Sequence, residues 1–269
     1  MSEEHVLGEK KGHIFYLTLN RADKRNALTF EMLAAISQMI EGLMTDSEIR
    51  AVIVKGEGPV FSAGVDFNSL AMLASRFMTE AAAGGAVIRA EINKFQHHLN
   101  RLETFEIPII CAMHGRALGL AVELSLACDF RLMSDDCLWG MPELRFGVIP
   151  DLGGTARLAK LLGPSRAMEI LMTGRQYSAD QALQWGLADY VYPESELLTA
   201  AEDLARDIAK MAPLAVGAVK KVVKCGQGVD LMTQLDMEAN LQSILLRSED
   251  FTEGVTALME KRAPNWKRK

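Results

Sequence analysis

None of the four cysteines in this 269-residue chain (Cys111, Cys128, Cys137, Cys225) falls in a C-x-x-C pair, and no histidine stands at a spacing suited to zinc. A metal site is therefore not expected, and isolated thiols of this kind fit a reducing compartment. No uninterrupted apolar run approaches the ~20 residues of a membrane span. The opening Met1-Ser2-Glu3-Glu4-His5 has neither the basic nor the apolar region of a signal peptide. A cytoplasmic setting with no membrane partner is the expectation. Positive charge is also in short supply: the net charge is −6, which gives no support to a nucleic-acid partner. The one cationic concentration is the tail Lys261-Arg262…Lys267-Arg268-Lys269, which reads either as a solvated tail or as a local phosphate contact. Gly153-Gly154 is followed by no Lys-Ser/Thr, so this glycine pair is not a P-loop. There is no internal repeat and no disordered linker.

What remains is an ordinary globular composition, 49% apolar and 24% charged, on a chain long enough for one large domain, with or without an appendage. His13 to Leu19 reads as a strand. Thr29 can cap a helix whose apolar positions (Met32, Leu33, Ile36, Met39, Ile40, Leu43) recur every three or four residues. Ala51–Gly56 and Pro108–Met113 are further strands, and Phe130–Met133 is a fourth candidate. Strands alternating with helices imply an α/β domain with substantial parallel character. An Ala- and Met-rich helical region between Asn68 and Thr104, broken at Gly84-Gly85, suits a pocket wall or a mobile cover, with Leu70 to Val87 as the candidate wall. From Thr155 onward nearly everything reads helical. The division expected is a core over residues 1–195 and a helical region over 196–269.

Two carboxylates stand out, each beside a glycine in an apolar setting. Glu123 lies in Gly119-Leu120-Ala121-Val122-Glu123-Leu124, and Glu143 lies in Gly140-Met141-Pro142-Glu143-Leu144. A buried carboxylate is costly to ionise, so its pKa rises and it can both give and take protons near neutrality. Two such groups facing one substrate can serve as acid and base. The plainer alternatives are a buried salt bridge from Glu123 to Arg116 or Arg131, and an exposed turn acid at Glu143. The helix expected to begin near Leu120 would present unpaired N–H donors beside Glu123. Asp151, before Gly153-Gly154-Thr155, is either a helix N-cap or a third proton-transfer group.

Asn20-Arg21…Lys24-Arg25-Asn26-Ala27-Leu28, Phe61-Ser62-Ala63-Gly64-Val65-Asp66 and Gly115-Arg116-Ala117-Leu118-Gly119 occur in order along the chain. They are followed by Glu123-Leu124…Cys128-Asp129, Met141-Pro142-Glu143…Pro150, Gly153-Gly154-Thr155…Arg157-Leu158 and Thr173-Gly174. Together these segments resemble the crotonase, or enoyl-CoA hydratase/isomerase, superfamily over essentially the whole chain. The resemblance implies a spiral of ββα units followed by helices that trimerise, as a homotrimer or a dimer of trimers. It implies acyl-CoA thioester substrates, with no cofactor beyond the coenzyme A that the substrate carries. It places the two oxyanion N–H donors at Val65 and Leu120, and the coenzyme along Arg25, Ala27, Ala63 and Phe67. Lys261 would reach the ribose phosphate of a coenzyme held by a neighbouring subunit. Two departures bear on the reaction. Leu120 stands where relatives often have glycine. Asp151 stands where hydratases typically have glycine and dienoyl-CoA isomerases an aspartate. Hydration of a 2-enoyl-CoA by Glu123 and Glu143 is the expected reaction. Double-bond isomerisation is the alternative, and a non-catalytic acyl-CoA-binding homologue is the alternative of another class.

Overall fold

The computed structural model describes residues 5–79 and 85–269. The chain begins with an antiparallel hairpin of β1 (Val6–Lys11) and β2 (Ile14–Leu19), turning at Gly12, whose φ is +59°. The Thr29 hydroxyl accepts from the Met32 N–H and opens α1 (Phe30–Gly42), which buries Met32, Leu33, Ile36 and Ile40, as the spacing predicts. β3 (Ala51–Gly56) follows, then α2 (Phe67–Thr79) and α3 (Gly85–Thr104). The expected break at Gly84-Gly85 falls in part outside the described residues. The middle of the chain comprises β4 (Ile109–Met113), β5 (Arg116–Leu118), α4 (Leu120–Ala127), β6 (Phe130–Ser134) and β7 (Leu138–Gly140). A 3₁₀ turn at Glu143–Phe146 leads to α5 (Gly154–Leu162), α6 (Pro164–Thr173), β8 (Gln176–Ser178), α7 (Ala179–Trp185) and β9 (Tyr190–Tyr192). Helices α8 (Glu194–Ala209), α9 (Pro213–Gly226), α10 (Leu231–Leu245) and α11 (Glu249–Glu260) complete it.

The α/β architecture is as expected. Six strands form one sheet in the order β1-β2-β3-β4-β6-β9, parallel throughout except for the opening hairpin. β3 and β4 are apolar runs buried on both faces, the pattern that a covered parallel sheet requires. Successive residues serve opposite faces: Val52 and Val54 join the core shared with α1, α3 and α4, whereas Ala51 and Ile53 pack beneath Leu197, Ala201 and Ala205 of α8. A second sheet, β5-β7-β8, stands apart and carries the segments around the two glutamates. Among the described residues no helix is long and apolar enough to cross a membrane.

Two expectations are refined by the structure. The region after Thr155 is nearly all helical, as expected, but the short strands β8 and β9 interrupt it; at three residues each they are too short to display a period of two. The basic tail is not loose: its backbone is held against the body of the chain. Asp250, 2% exposed, accepts the N–H groups of Lys267 and Arg268 at 2.7 and 3.0 Å. Arg50 donates to the Trp266 carbonyl at 3.2 Å, and the Trp266 indole donates to the Lys210 carbonyl at 2.8 Å.

Helix α9 is tied to the sheet by charge. The Lys220 ammonium lies 2.6 Å from Asp129 and donates to the carbonyls of Leu102 and Ile107 at 3.1 and 3.2 Å. Asp129 also accepts the Ile109 N–H at 2.8 Å, so the pair holds the start of β4.

Candidate active site

The turn at residues 61–66 sits against β5, and Gly64 makes that possible. Its φ is +98°, and a Cβ there would lie 2.6 Å from the Leu118 carbonyl oxygen. In the parallel bridge between residues 28 and 65, Leu28 donates to Gly64 and accepts from Asp66. That pattern leaves the Val65 N–H directed away from Leu28, and it has no partner among the described residues. The Gly119 N–H donates to the Gly140 carbonyl at 2.8 Å, fixing the start of α4 beside β7. Leu120 is the first residue of α4, so its N–H is one of the donors that a helix cannot use internally.

Glu123 lies in the first turn of α4 and is 3% exposed. Its Oε1 accepts from the N–H groups of Leu152 and Gly154 at 2.9 and 2.8 Å. Burial pushes its pKa up to about 8 against the pull of those donors, with the charges of Glu143 and Asp151 adding to the rise. Glu143 is pushed up to about 7, mainly by burial, and its Oε2 is buried with no hydrogen-bond partner. Burial raises Asp151 as well. All three carboxyls line one cavity of about 90 Å³, together with Val65 and Leu120.

The plainer alternatives for these acids do not hold. Arg131 pairs with Asp189 and donates to the Leu187 and Cys128 carbonyls, while Arg116 is exposed, so Glu123 has neither as a partner. Glu143 is not an exposed turn acid. Asp151 does not cap α5: that helix follows Gly153 without a side-chain cap, because the chain needs two further residues to turn. Instead the Asp151 carbonyl accepts from the Gln96 amide at 2.6 Å.

The 20–28 loop is stitched to the 61–67 turn. The Ala63 N–H donates to the Arg25 carbonyl at 2.9 Å, and Arg21 donates to both the Ala27 carbonyl and Asp66. Arg25, Ala27, Ala63 and Phe67 therefore share one neighbourhood, with Phe67 59% exposed and edge-on to Phe146 at 5.0 Å. Lys261 ends α11 in a left-handed conformation, and no hydrogen bond or ion pair joins it to that loop among the described residues. Sequence reasoning missed Asn26, which is fully buried. Its amide donates to the Glu57 and Val60 carbonyls and its oxygen accepts from the Arg21 N–H. An asparagine in a polar stretch carries no signal of such a role. Phe30 and Phe95, which also line the cavity, were missed too, although Phe30 directly follows the Thr29 cap.

Gly119 is a position where shape can be tested. Its φ is +52°, and an added Cβ would lie 2.5 Å from Glu143 Oε1. Gly119→Ala is expected to cost about 1–3 kcal/mol, from backbone strain and the displaced carboxyl together. Urea denaturation measures this, and an unchanged midpoint would contradict it.

Residues 9–269 match the family model described as enoyl-CoA hydratase/isomerase. A 2,3-dehydroadipyl-CoA hydratase from Escherichia coli (strain K12) is 34% identical over 268 residues, covering 99% of each chain. An enoyl-CoA isomerase/hydratase from Mycosarcoma maydis is 35% identical over 260 residues, covering 93% of this chain and 91% of its own. The crystal structure of an enoyl-CoA hydratase from Bacillus anthracis superposes with a TM-score of 0.88 at 32% identity, covering 99% of this chain and 100% of that one. The crotonase fold agrees with this match, and the chain belongs to the enoyl-CoA hydratase/isomerase family.

Proposed function

We propose that this protein adds water across the double bond of a 2-enoyl-CoA. The observation that carries the reading is the placement of Glu123 and Glu143, both raised toward neutrality, in one small apolar cavity beside two unused N–H donors. The thioester oxygen accepts from the N–H groups of Val65 and Leu120. These stabilise the enolate that develops there, each donor of this kind being worth about 3 kcal/mol. Glu123, ionised, takes a proton from water as its oxygen bonds to the β-carbon. Glu143, protonated, delivers a proton to the α-carbon.

The two acids titrate as a pair. The pair holds two protons below about 7 and none above about 8; between these values it holds one, and the productive form is the minor share in which that proton sits on Glu143 and Glu123 is charged. A bell-shaped pH profile of kcat/KM with limbs near these values is expected. Incubation with a 2-enoyl-CoA should give a product heavier by one water, as mass spectrometry reads directly. Turnover that leaves the mass unchanged would reject hydration in favour of isomerisation. That second reading draws on Asp151, the third carboxyl on the cavity wall. Asp151→Asn would abolish isomerisation of a dienoyl-CoA but spare hydration.

Arg25, Ala27, Ala63 and Phe67 are assigned to the coenzyme. Helices α9–α11 leave Val219, Val223, Leu231, Met232, Ile244 and Leu258 exposed, a surface suited to self-association. A homotrimer or a dimer of trimers, with residues 196–269 as the associating region, would cover it and bring Lys261 toward a neighbour's coenzyme. Three buried unpaired thiols, Cys111, Cys128 and Cys137, fit a reducing cytoplasm.

A further inference from the structure

Apart from the three carboxyls, the cavity is walled by apolar side chains. Leu70 and Leu73 come from α2, Ile92 and Phe95 from α3, and Phe30 from α1. No lysine, arginine or histidine reaches it among the described residues. Phe30 and Phe95 stack with ring centroids 4.0 Å apart and planes 15° from parallel, and both pack against the main core. Such a pair is a rigid wall, because neither ring can turn without losing the other and the core behind it. A cavity of about 90 Å³ has room for only a few methyl-sized groups beyond the reacting atoms. An acyl chain ending in a second carboxylate would set an unpaired charge among three acids, with no cation among the described residues to receive it.

We propose that the site takes a short, uncharged aliphatic acyl group of about four carbons, and that the Phe30–Phe95 stack is the stop that sets its length. The inference rests on the acyl-CoA reading above, and it names the acyl class within it.

Calorimetric binding of butyryl-, octanoyl- and adipyl-CoA to the full chain tests this without turnover. Each accommodated methylene strengthens binding about fourfold, so an open cavity would hold octanoyl-CoA, with four more methylenes, roughly 200-fold more tightly than butyryl-CoA. The wild type is expected to show no such gain and to bind adipyl-CoA at least tenfold more weakly than butyryl-CoA. Phe95→Ala should shift the octanoyl-to-butyryl affinity ratio at least tenfold toward octanoyl. Phe95→Leu should shift it in the same direction by less, and it serves if the alanine variant does not fold. A roughly 200-fold octanoyl preference in the wild type, or an unchanged ratio in the folded variants, would overturn the inference. Loss of hydration with this length preference intact would sink the hydratase reading alone. Hydration with a long-chain preference would sink this inference alone.

Discussion

Glu123→Gln and Glu143→Gln are each expected to slow hydration by about 100-fold or more while leaving acyl-CoA binding largely intact. Glutamine preserves shape and can still accept a hydrogen bond, but it neither takes nor gives the proton that the step needs. The same substitutions should not harm stability, and the sign is informative. The Glu123 pKa is raised in the folded chain to about 8 from an ordinary value of 4.5. The folded state therefore holds a proton that the unfolded chain releases, and stability falls as pH rises from about 4.5 to about 8. A neutral glutamine removes that loss. At pH 8, Glu123→Gln should be more stable than wild type by roughly 2–4 kcal/mol, with little difference at pH 4. Thermal melts at the two pH values, with steady-state kinetics, decide the matter. Near-wild-type turnover in both variants would reject the two-acid mechanism, and a collapse in melting temperature would assign Glu123 to structure.

Lys220→Ala should produce the largest loss of stability of any single change considered. The ammonium and the Asp129 carboxylate lie 2.6 Å apart with both side chains at least 90% buried, and Lys224 reaches Asp129 only at 3.5 Å. Removing Lys220 leaves the buried Asp129 charge with only the longer contact to Lys224, at a cost of about 3 kcal/mol. For a chain of this size that lowers the melting temperature on the order of 10 °C. The carbonyls of Leu102 and Ile107 lose their donor as well, so the end of α3 and the entry to β4 loosen together. Combining Lys220→Met with Asp129→Asn should recover part of the loss, because both charges are then gone and the side-chain amide oxygen can still accept from the Ile109 N–H. A loss below about 1 kcal/mol in the single variant, by urea denaturation, would show that water reaches the pair and screens it.

What could be read in advance follows from the range over which each signal acts. β3 and β4 are long apolar runs whose local pattern and final burial coincide, and Thr29 caps α1 through a contact only three residues away. β1 could not be recognised, because only Val6 of its six residues is buried and its order comes from pairing with β2. β8 and β9 owe their existence to strands far away in sequence. The acids divide in the same way. Glu123 and Glu143 declare themselves by sitting in apolar stretches. Asp151 looked like a cap because it precedes a helix, and only the folded chain shows that two more residues intervene. Phe30 and Phe95 meet across 65 residues, a contact for which neither neighbourhood gives a sign.

The glycines at 119 and 154 have a consequence for how this chemistry can be altered or transplanted. Gly119 begins the helix that bears Glu123, yet the space that it leaves open is occupied by Glu143. Gly154 begins the helix after Glu143, and an added Cβ there would meet Met141 Cε at 2.6 Å, Pro150 Cβ at 2.7 Å and Glu123 Oε1 at 2.9 Å. Each segment thus leaves room into which the other segment's acid reaches. Grafting either segment alone onto another scaffold, or recombining the chain with a relative between residues 123 and 143, would separate an acid from that room. The two segments form a single heritable unit, and libraries that vary one should carry the other with it.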